Sequence, residues 1–343
     1  MSGPAAYARF ESVNGAVIHR LPLEAFPNFW VYAYLVLKDE CRILIDCGSG
    51  TDPSHENLLS GLQRAGLATS DLTHILLTHA HIDHYGGLSQ LKPLTDAKIG
   101  CHELDVPTIS DHNEKLDSMA MRHASFLIEA GLDQETVDAL LGIYRFTKSF
   151  YRSVPVDMTY EAHELQIGPL EMIHLPGHCA GHVAMRLDDI IFCGDMVVEG
   201  VTPHLFPRSI SPYNGLDHYL ASLEKLQIWS HGSRLILSGH DDIKTDLSTS
   251  IEASHQNIIH RMSKAVEALH VPLTIAEVCT AVYGETDGYQ KLLVIEKTGA
   301  YIEYFDKHGM IEVVSDAGIK KYRRLGGIPD DGILSKLKYT VIE

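Results

Sequence analysis

Four times in this chain a short apolar run gives way at once to a side chain able to hold a metal ion. Thr73–Thr78 runs into His79-Ala-His-Ile-Asp-His84, and Leu170–Leu175 into Pro-Gly-His178. Asp189–Cys193 runs into Gly-Asp195, and Arg234–Ser238 into Gly-His240. Short apolar runs bounded by turn residues read as buried strands. Asn57–Ala65 and Asp217–Trp229 read as helices between them. The alternation predicts an α/β fold whose strand ends gather the chemistry, because functional residues concentrate on loops anchored to a rigid scaffold.

The densest of the four is His79-x-His81-x-Asp83-His84. Zinc accepts imidazole nitrogen and carboxylate oxygen. On an extended loop His79 and His81 can converge on one ion, while Asp83 and His84, at the turn into a helix, face a second beside it. Neither pair suffices, since a catalytic zinc takes three protein ligands plus a water. More ligands are expected at later strand ends, where His178, Asp195 and His240 stand.

Around these sites, Phe29–Lys38 and Cys41–Asp46 read as strands, as does Ala97–Cys101; a helix begun near Asp83 continues through Leu88–Leu91. Residues from about 103 to 155 change character. Glu114–Ala130 and Gln134–Arg152 are expected helices, with Gly131 ending the first and Asp133 capping the second. Met119, Phe126, Tyr144 and Phe146 give this stretch an apolar surface, suited to packing on the core and to covering a substrate cleft. Beyond about 250 come a helix Ile251–His270, a capping box Thr274-Ile-Ala-Glu277 opening a helix to Tyr283, and a helix Leu292–Lys307. Ile311–Val314, the turn Ser315-Asp-Ala-Gly318 and Ile319–Leu325 read as a hairpin. Three helices and a hairpin suggest a small winged-helix module. The 343 residues then divide into two domains, 1–250 and 251–343.

Composition narrows the partners. The formal net charge is −17, and residues 1–250 carry −15 of it against −2 for residues 251–343. An acidic catalytic part repels polyanions, which argues against nucleic acid and an anionic membrane surface. The basic cluster Lys320, Lys321, Arg323 and Arg324 near the hairpin is read as a solvated face. The six cysteines form no C-x-x-C pair, so a reducing cytoplasm is expected rather than a disulfide framework. No secretory signal is legible at the N-terminus, and no apolar run reaches the length of a membrane span.

The ordered motifs at 78–84, 175–182, 192–195 and 238–240 resemble the metallo-β-lactamase superfamily, in the branch that holds glyoxalase II. The resemblance covers about residues 10–250. It implies an αββα sandwich with a helical insertion at about 103–155, followed by a small winged-helix domain as in β-lactamase-like protein 2. It implies one metal held by His79, His81 and His178, a second held by Asp83, His84 and His240, and Asp195 bridging them. The implied cofactors are two divalent ions: zinc, with iron or manganese as alternatives. The implied enzyme is a hydrolase in which a metal-bridging hydroxide, oriented by Asp83, attacks the carbonyl of a small-molecule thioester, ester or lactone. No Gly-x-Ser-x-Gly motif offers a serine nucleophile instead.

Two other activities fit parts of the same pattern: an endoribonuclease of the β-lactamase-like protein 2 type, and a mononuclear iron persulfide dioxygenase using His79, His178 and Asp195. A non-enzymatic role fits the intact ligand set poorly, while a homodimer formed through the tail is compatible with it. Asp46, in the Ile-Asp-Cys-Gly stretch, is expected to support the site rather than react, and His182 to stand beside it. Tyr85 is open to packing or to a substrate hydrogen bond, and His204 to a substrate contact; Cys179 and Cys193 are expected as small buried residues rather than nucleophiles.

Overall fold

The computed structural model describes residues 6–198, 202–316 and 319–325. Residues 317 and 318 of the expected turn lie outside the described residues, as do 326–343 of the expected C-terminal unit.

Two sheets stack face to face. The first has seven strands in sequence order: β1 (Ala8–Glu11), β2 (Val17–Phe26), β3 (Phe29–Lys38), β4 (Cys41–Ile45), β5 (His74–Leu76), β6 (Lys98–Cys101) and β7 (Met158–Thr159). The second comprises β8 (Gln166–Ile167), β9 (Leu170–His174), β10 (Val183–Leu187), β11 (Ile190–Gly194) and β12 (Leu235–Ser238), paired in that order. The helices are α1 (Asp52–Arg64), α2 (Ile82–Tyr85), α3 (Leu88–Leu91), α4 (Val106–Ser110), α5 (His112–Glu129), α6 (Gln134–Lys148), α7 (Leu216–Trp229), α8 (Ser248–Ala268), α9 (Ile275–Tyr283) and α10 (Gly288–Lys307). A hairpin, β13 (Ile311–Asp316) with β14 (Ile319–Arg324), follows.

Strand β3 shows why the layers form. Its apolar run has side chains on alternate faces. Val31, Ala33 and Leu35 pack outward with Leu58 and Leu62 of α1 and Leu88 and Leu91 of α3. Tyr32, Tyr34 and Val36 pack inward against Met185, Phe192 and Leu237 of the second sheet. The far face of that second sheet, with Ile173, Ala184 and Ile191, is covered by α5–α10. The order helix, sheet, sheet, helix is the expected αββα sandwich, and each buried strand face contributes apolar area worth about 25 cal/mol per Å².

The expected helix from Asp83 to Leu91 is instead two short helices. The turn between them is claimed by the loop after β4: Cys47 N–H donates to the His84 carbonyl and Gly87 N–H to the Gly48 carbonyl, at 2.8 and 3.0 Å. Two expected caps hold, Asp133 capping α6 through the Thr136 N–H and Thr274 with Glu277 forming the capping box of α9, but α6 stops at Lys148 short of the expected Arg152 and α10 starts at Gly288 ahead of the expected Leu292. Helices α5 and α6 occupy the insertion, and α8–α10 with the hairpin occupy the C-terminal region. Among the described residues no helix is long and apolar enough to cross a membrane.

Topology then places the chemistry. β4, β5 and β6 run parallel, as do β11 and β12. Parallel neighbours end on the same side, so the residues that follow them are brought to one rim. Asp46, the 79–84 segment, Asp195 and His240 all follow such ends. The two sheets are joined there by Tyr32 N–H donating to the Gly239 carbonyl at 2.7 Å and by Tyr34 Oη–H donating to the Ser238 carbonyl at 2.7 Å.

Candidate metal centre

All seven residues expected as metal ligands meet at this rim. Nitrogens of His79, His81 and His178 lie within 4.8 Å of one another, and so do ligand atoms of Asp83, His84, Asp195 and His240. Asp195 Oδ2 stands between the groups, 3.8 Å from His79 Nε2 and His178 Nε2, 3.3 Å from His84 Nε2 and 3.0 Å from His240 Nε2.

The outer nitrogens explain the orientation. His84 Nδ1–H donates to Asp46 Oδ2 at 2.9 Å, His178 Nδ1–H to the His204 carbonyl at 2.8 Å, and His240 Nδ1–H to the Trp30 carbonyl at 2.8 Å. His79 Nδ1–H donates to Thr78 Oγ1 at 3.0 Å, whose own hydrogen goes to Asp46 Oδ2 at 2.8 Å. A neutral imidazole that donates through one nitrogen has a lone pair on the other. Four rings therefore aim Nε2 atoms inward, the orientation that metal-binding histidines are held in.

That arrangement fits a cation. His84 Nε2, His178 Nε2 and Asp195 Oδ1 are buried with no hydrogen-bond partner. His79 Nε2 lies only 3.1 Å from His81 Nδ1. Buried polar atoms left unpaired are costly, and converging lone pairs repel, unless positive charge lies between them.

Electrostatics differs between the two groups. Burial, joined by neighbouring histidines, keeps His79 and His81 well below the ordinary histidine pKa, and burial brings His178 down to about 4 against the pull of Asp195. Burial also opposes charge on His240, but Asp195 and Asp83 outweigh it and push it up to about 10. A metal ligand must be deprotonated, so cation binding to the second group would release a proton.

The supporting residues behave as expected or add detail. Asp46, in a left-handed conformation (φ 58°), ties Thr78, and through it His79, to His84. His182 is buried, and its Nε2 accepts the Asp195 N–H at 3.1 Å. Tyr85 is buried with its hydroxyl 3.3 Å from His112 Nδ1, and it also lines the cavity. His204 lines the cavity, but its ring is held by Glu296 at 2.9 Å. Cys179 and Cys193 are buried, and burial raises both thiols, Cys193 to about 12, which makes poor nucleophiles of them. Gly239 is required by close approach: a Cβ there would collide with Asp195 Oδ1 and lie 2.7 Å from His84 Cε1.

Two residues were missed in the sequence. Asp105 is buried and clamps two ligand-bearing loops: Ala80 N–H donates to Oδ2 at 2.9 Å and Gly181 N–H to Oδ1 at 3.1 Å. It follows the end of β6, so the strand-end signal applied to it as well. Glu296 lies inside α10 and carries no local signal at all. A cavity of about 480 Å³ opens over the cluster, lined by Phe29, Tyr85, Met119, Tyr144, Phe206 and Leu292 among others. The insertion thus walls the cleft as well as packing on the core.

Known proteins resemble this chain. The chain is 23% identical over 186 residues to a hydroxyacylglutathione hydrolase of Shewanella loihica, a match covering 54% of each protein. It is 24% identical over 288 residues to the beta-lactamase-like protein 2 homolog of Caenorhabditis elegans, covering 81% of this chain and 79% of that relative. A metallo-beta-lactamase family protein of Thermus thermophilus has the same fold, with a TM-score of 0.72 at 23% identity over 90% of this chain and 98% of that one. Residues 29–240 match the family model described as the metallo-beta-lactamase superfamily, and with its motifs, sandwich and rim of ligand-type side chains the chain belongs to that superfamily.

Proposed function

We propose that this superfamily hydrolase cleaves a small-molecule thioester, ester or lactone with two divalent ions. One ion is assigned to His79, His81 and His178, the other to Asp83, His84 and His240, with Asp195 shared. The observation that carries the assignment is the position of Asp195 Oδ2, within 3.8 Å of inward-facing nitrogens from both groups. Two ions held by these residues would supply Lewis acidity, lowering the pKa of a water from about 15.7 toward about 7 and polarising the substrate carbonyl.

The chain's own groups do the rest. Asp83 accepts a hydrogen bond from the attacking water and so orients it and its proton; burial opposes charge on the carboxyl, but His84 and His240 outweigh it and hold its pKa well below the ordinary carboxylate range. The water oxygen adds to the carbonyl carbon, the C–S or C–O bond breaks, and the proton passes to the departing sulfur or oxygen. The apolar cavity wall holds the acyl body and keeps bulk water out. A small acyl substrate is favoured over RNA by the confined cavity and by the −15 carried by residues 1–250. The hydroxyacylglutathione hydrolase relative supports the thioester arm. We assign residues 1–250 to catalysis and 251–343 to a winged-helix-like unit whose α10 closes one side of the cavity.

The test is elemental analysis of protein purified without chelator, followed by turnover of a thioester, ester, lactone and RNA panel. The expected result is close to two ions per chain, with acyl hydrolysis that chelation abolishes. Less than one ion per chain with chelator-insensitive turnover would sink the proposal. Iron as the bound metal with oxygen consumption would replace it by the dioxygenase chemistry.

A further inference from the structure

The cavity over the metal cluster has two unlike walls. The α10 wall is apolar where it presents Tyr289, Leu292 and Leu293. The insertion wall presents Lys115, in the first turns of α5, and Lys148, the last residue of α6. His112 ties the two helix ends together: His112 Nε2–H donates to the Lys148 backbone carbonyl at 3.0 Å, and Lys115 lies one turn along the same helix from His112.

Both lysines are half-buried. Among the described residues, neither ammonium group has an acidic side chain within 4.0 Å; Lys148 Nζ lies 4.8 Å from the Tyr144 ring centroid instead. This is unexpected in a chain with 45 acidic and 28 basic residues. An acid is at hand on α5, but Asp117 pairs with Arg145. Two partly desolvated cations facing one cavity attract an anion more strongly than they would in open water, since low-dielectric walls focus the field.

We propose that Lys115 and Lys148 receive an anionic group of the substrate. The substrate class is then an acyl thioester or ester whose apolar body lies along α10 and whose carboxylate or phosphate sits on the two lysines. This inference rests on the hydrolase reading above for the carbonyl at the metal centre. Charge-assisted contacts are about twice as strong as neutral ones, so the pair discriminates against neutral esters of the same size. The confined cavity and the acidic exterior disfavour a long polyanion.

The test uses the full chain loaded with zinc and three thiols that reach the metal through sulfur: 6-mercaptohexanoate, its amide, and 6-mercaptohexyl phosphate. Titration calorimetry is expected to give at least about tenfold tighter binding of an anionic thiol than of the amide. The preference should shrink toward one in the Lys115→Met/Lys148→Met double variant, persist in the control Lys264→Met, and weaken with added salt. The carboxylate and phosphate arms tell which anion the wall favours. Equal binding of acid and amide by the wild type, or a preference that survives the double variant, overturns the proposal. Circular dichroism checks folding, and if the double variant is unfolded each single Lys→Gln variant carries the same comparison. Thiol preference without hydrolysis of any thioester, ester or lactone would leave the anion site standing and remove the acyl-hydrolysis reading instead.

Discussion

Glu296 Oε2 lies 2.9 Å from His204 Nε2, where the C-terminal helix α10 meets the loop that follows Asp195. Its other oxygen lies 2.6 Å from His123 Nδ1. The His204 carbonyl in turn accepts the Nδ1–H of His178. A carboxylate from the C-terminal region therefore helps to set a ring at the heart of the candidate metal centre. Burial opposes charge on Glu296, but His123 and His204 outweigh it and hold its pKa at about 2.

Breaking this contact should be felt at the metal centre. Glu296 is 1% exposed, and burial keeps His204 below the ordinary histidine pKa, so Glu296→Ala leaves two buried imidazoles without their partner and should cost about 1–3 kcal/mol for each. Glu296→Gln keeps the shape and should cost less. Both should lower the metal retained after dialysis, by elemental analysis, and shift the urea midpoint. Full metal retention in the alanine variant would show that His178 does not depend on this contact.

Asp105 offers a cleaner test of loop clamping. Asp105→Ala leaves the Ala80 and Gly181 N–H groups buried and unpaired, at about 1–3 kcal/mol each. Asp105→Asn retains one acceptor oxygen and should recover part of the loss. Gly181→Ala should also destabilise, since its Cβ would lie 2.5 Å from Asp105 Cγ. Denaturant unfolding of the three variants reads the order of loss, with the alanine at position 105 expected to exceed the asparagine.

The proposed ligand sets separate by stoichiometry. His240→Ala is expected to retain about one ion per chain, whereas Asp195→Ala, which removes the shared carboxylate, should retain less than either single-group variant. His79→Ala and Asp83→Ala should abolish turnover while far-ultraviolet circular dichroism stays unchanged. Chelation of the wild type should lower its Tm, because a ligand that binds only the folded state stabilises it by mass action. Equal metal content in all four variants would contradict the assignment.

Acid should loosen α7 from α10. Asp217 lies 2.6 Å from Lys307 Nζ and 3.0 Å from His308 Nε2. Partial burial raises its pKa, but the hydrogen bonds to His308 and Lys307 outweigh that and bring it below the ordinary aspartate value. A depressed folded-state pKa contributes stability that is complete above about pH 4 and is lost as pH falls through the folded value. The urea midpoint of wild type relative to Asp217→Asn should therefore narrow between neutral pH and about pH 3. A difference that is constant across that window would exclude a role for the carboxylate charge.

Much of this molecule was legible along the chain because its signals are local. The run Phe29–Lys38 alternates its side chains at period two and is a strand over just those residues. The spacing of His79, His81, Asp83 and His84 at one strand end sorted them into two groups that the fold reproduces. The missed features are those that involve long-range contacts. The expected helix through Leu91 failed because Cys47 and Gly48, some forty residues earlier, exchange hydrogen bonds with its first turns. Lys115 and Lys148 carry no local signal, and only the packing of α5 and α6 puts both on the wall of one cavity.

The sequence by itself determined which residues could bind metal and that strands would carry them, since ligand chemistry and side-chain period are properties of neighbouring residues. Only the tertiary structure decided how Asp105 and Glu296 enter the site. A carboxylate becomes a clamp only when folding removes it from water and leaves Ala80, Gly181, His123 and His204 as its partners.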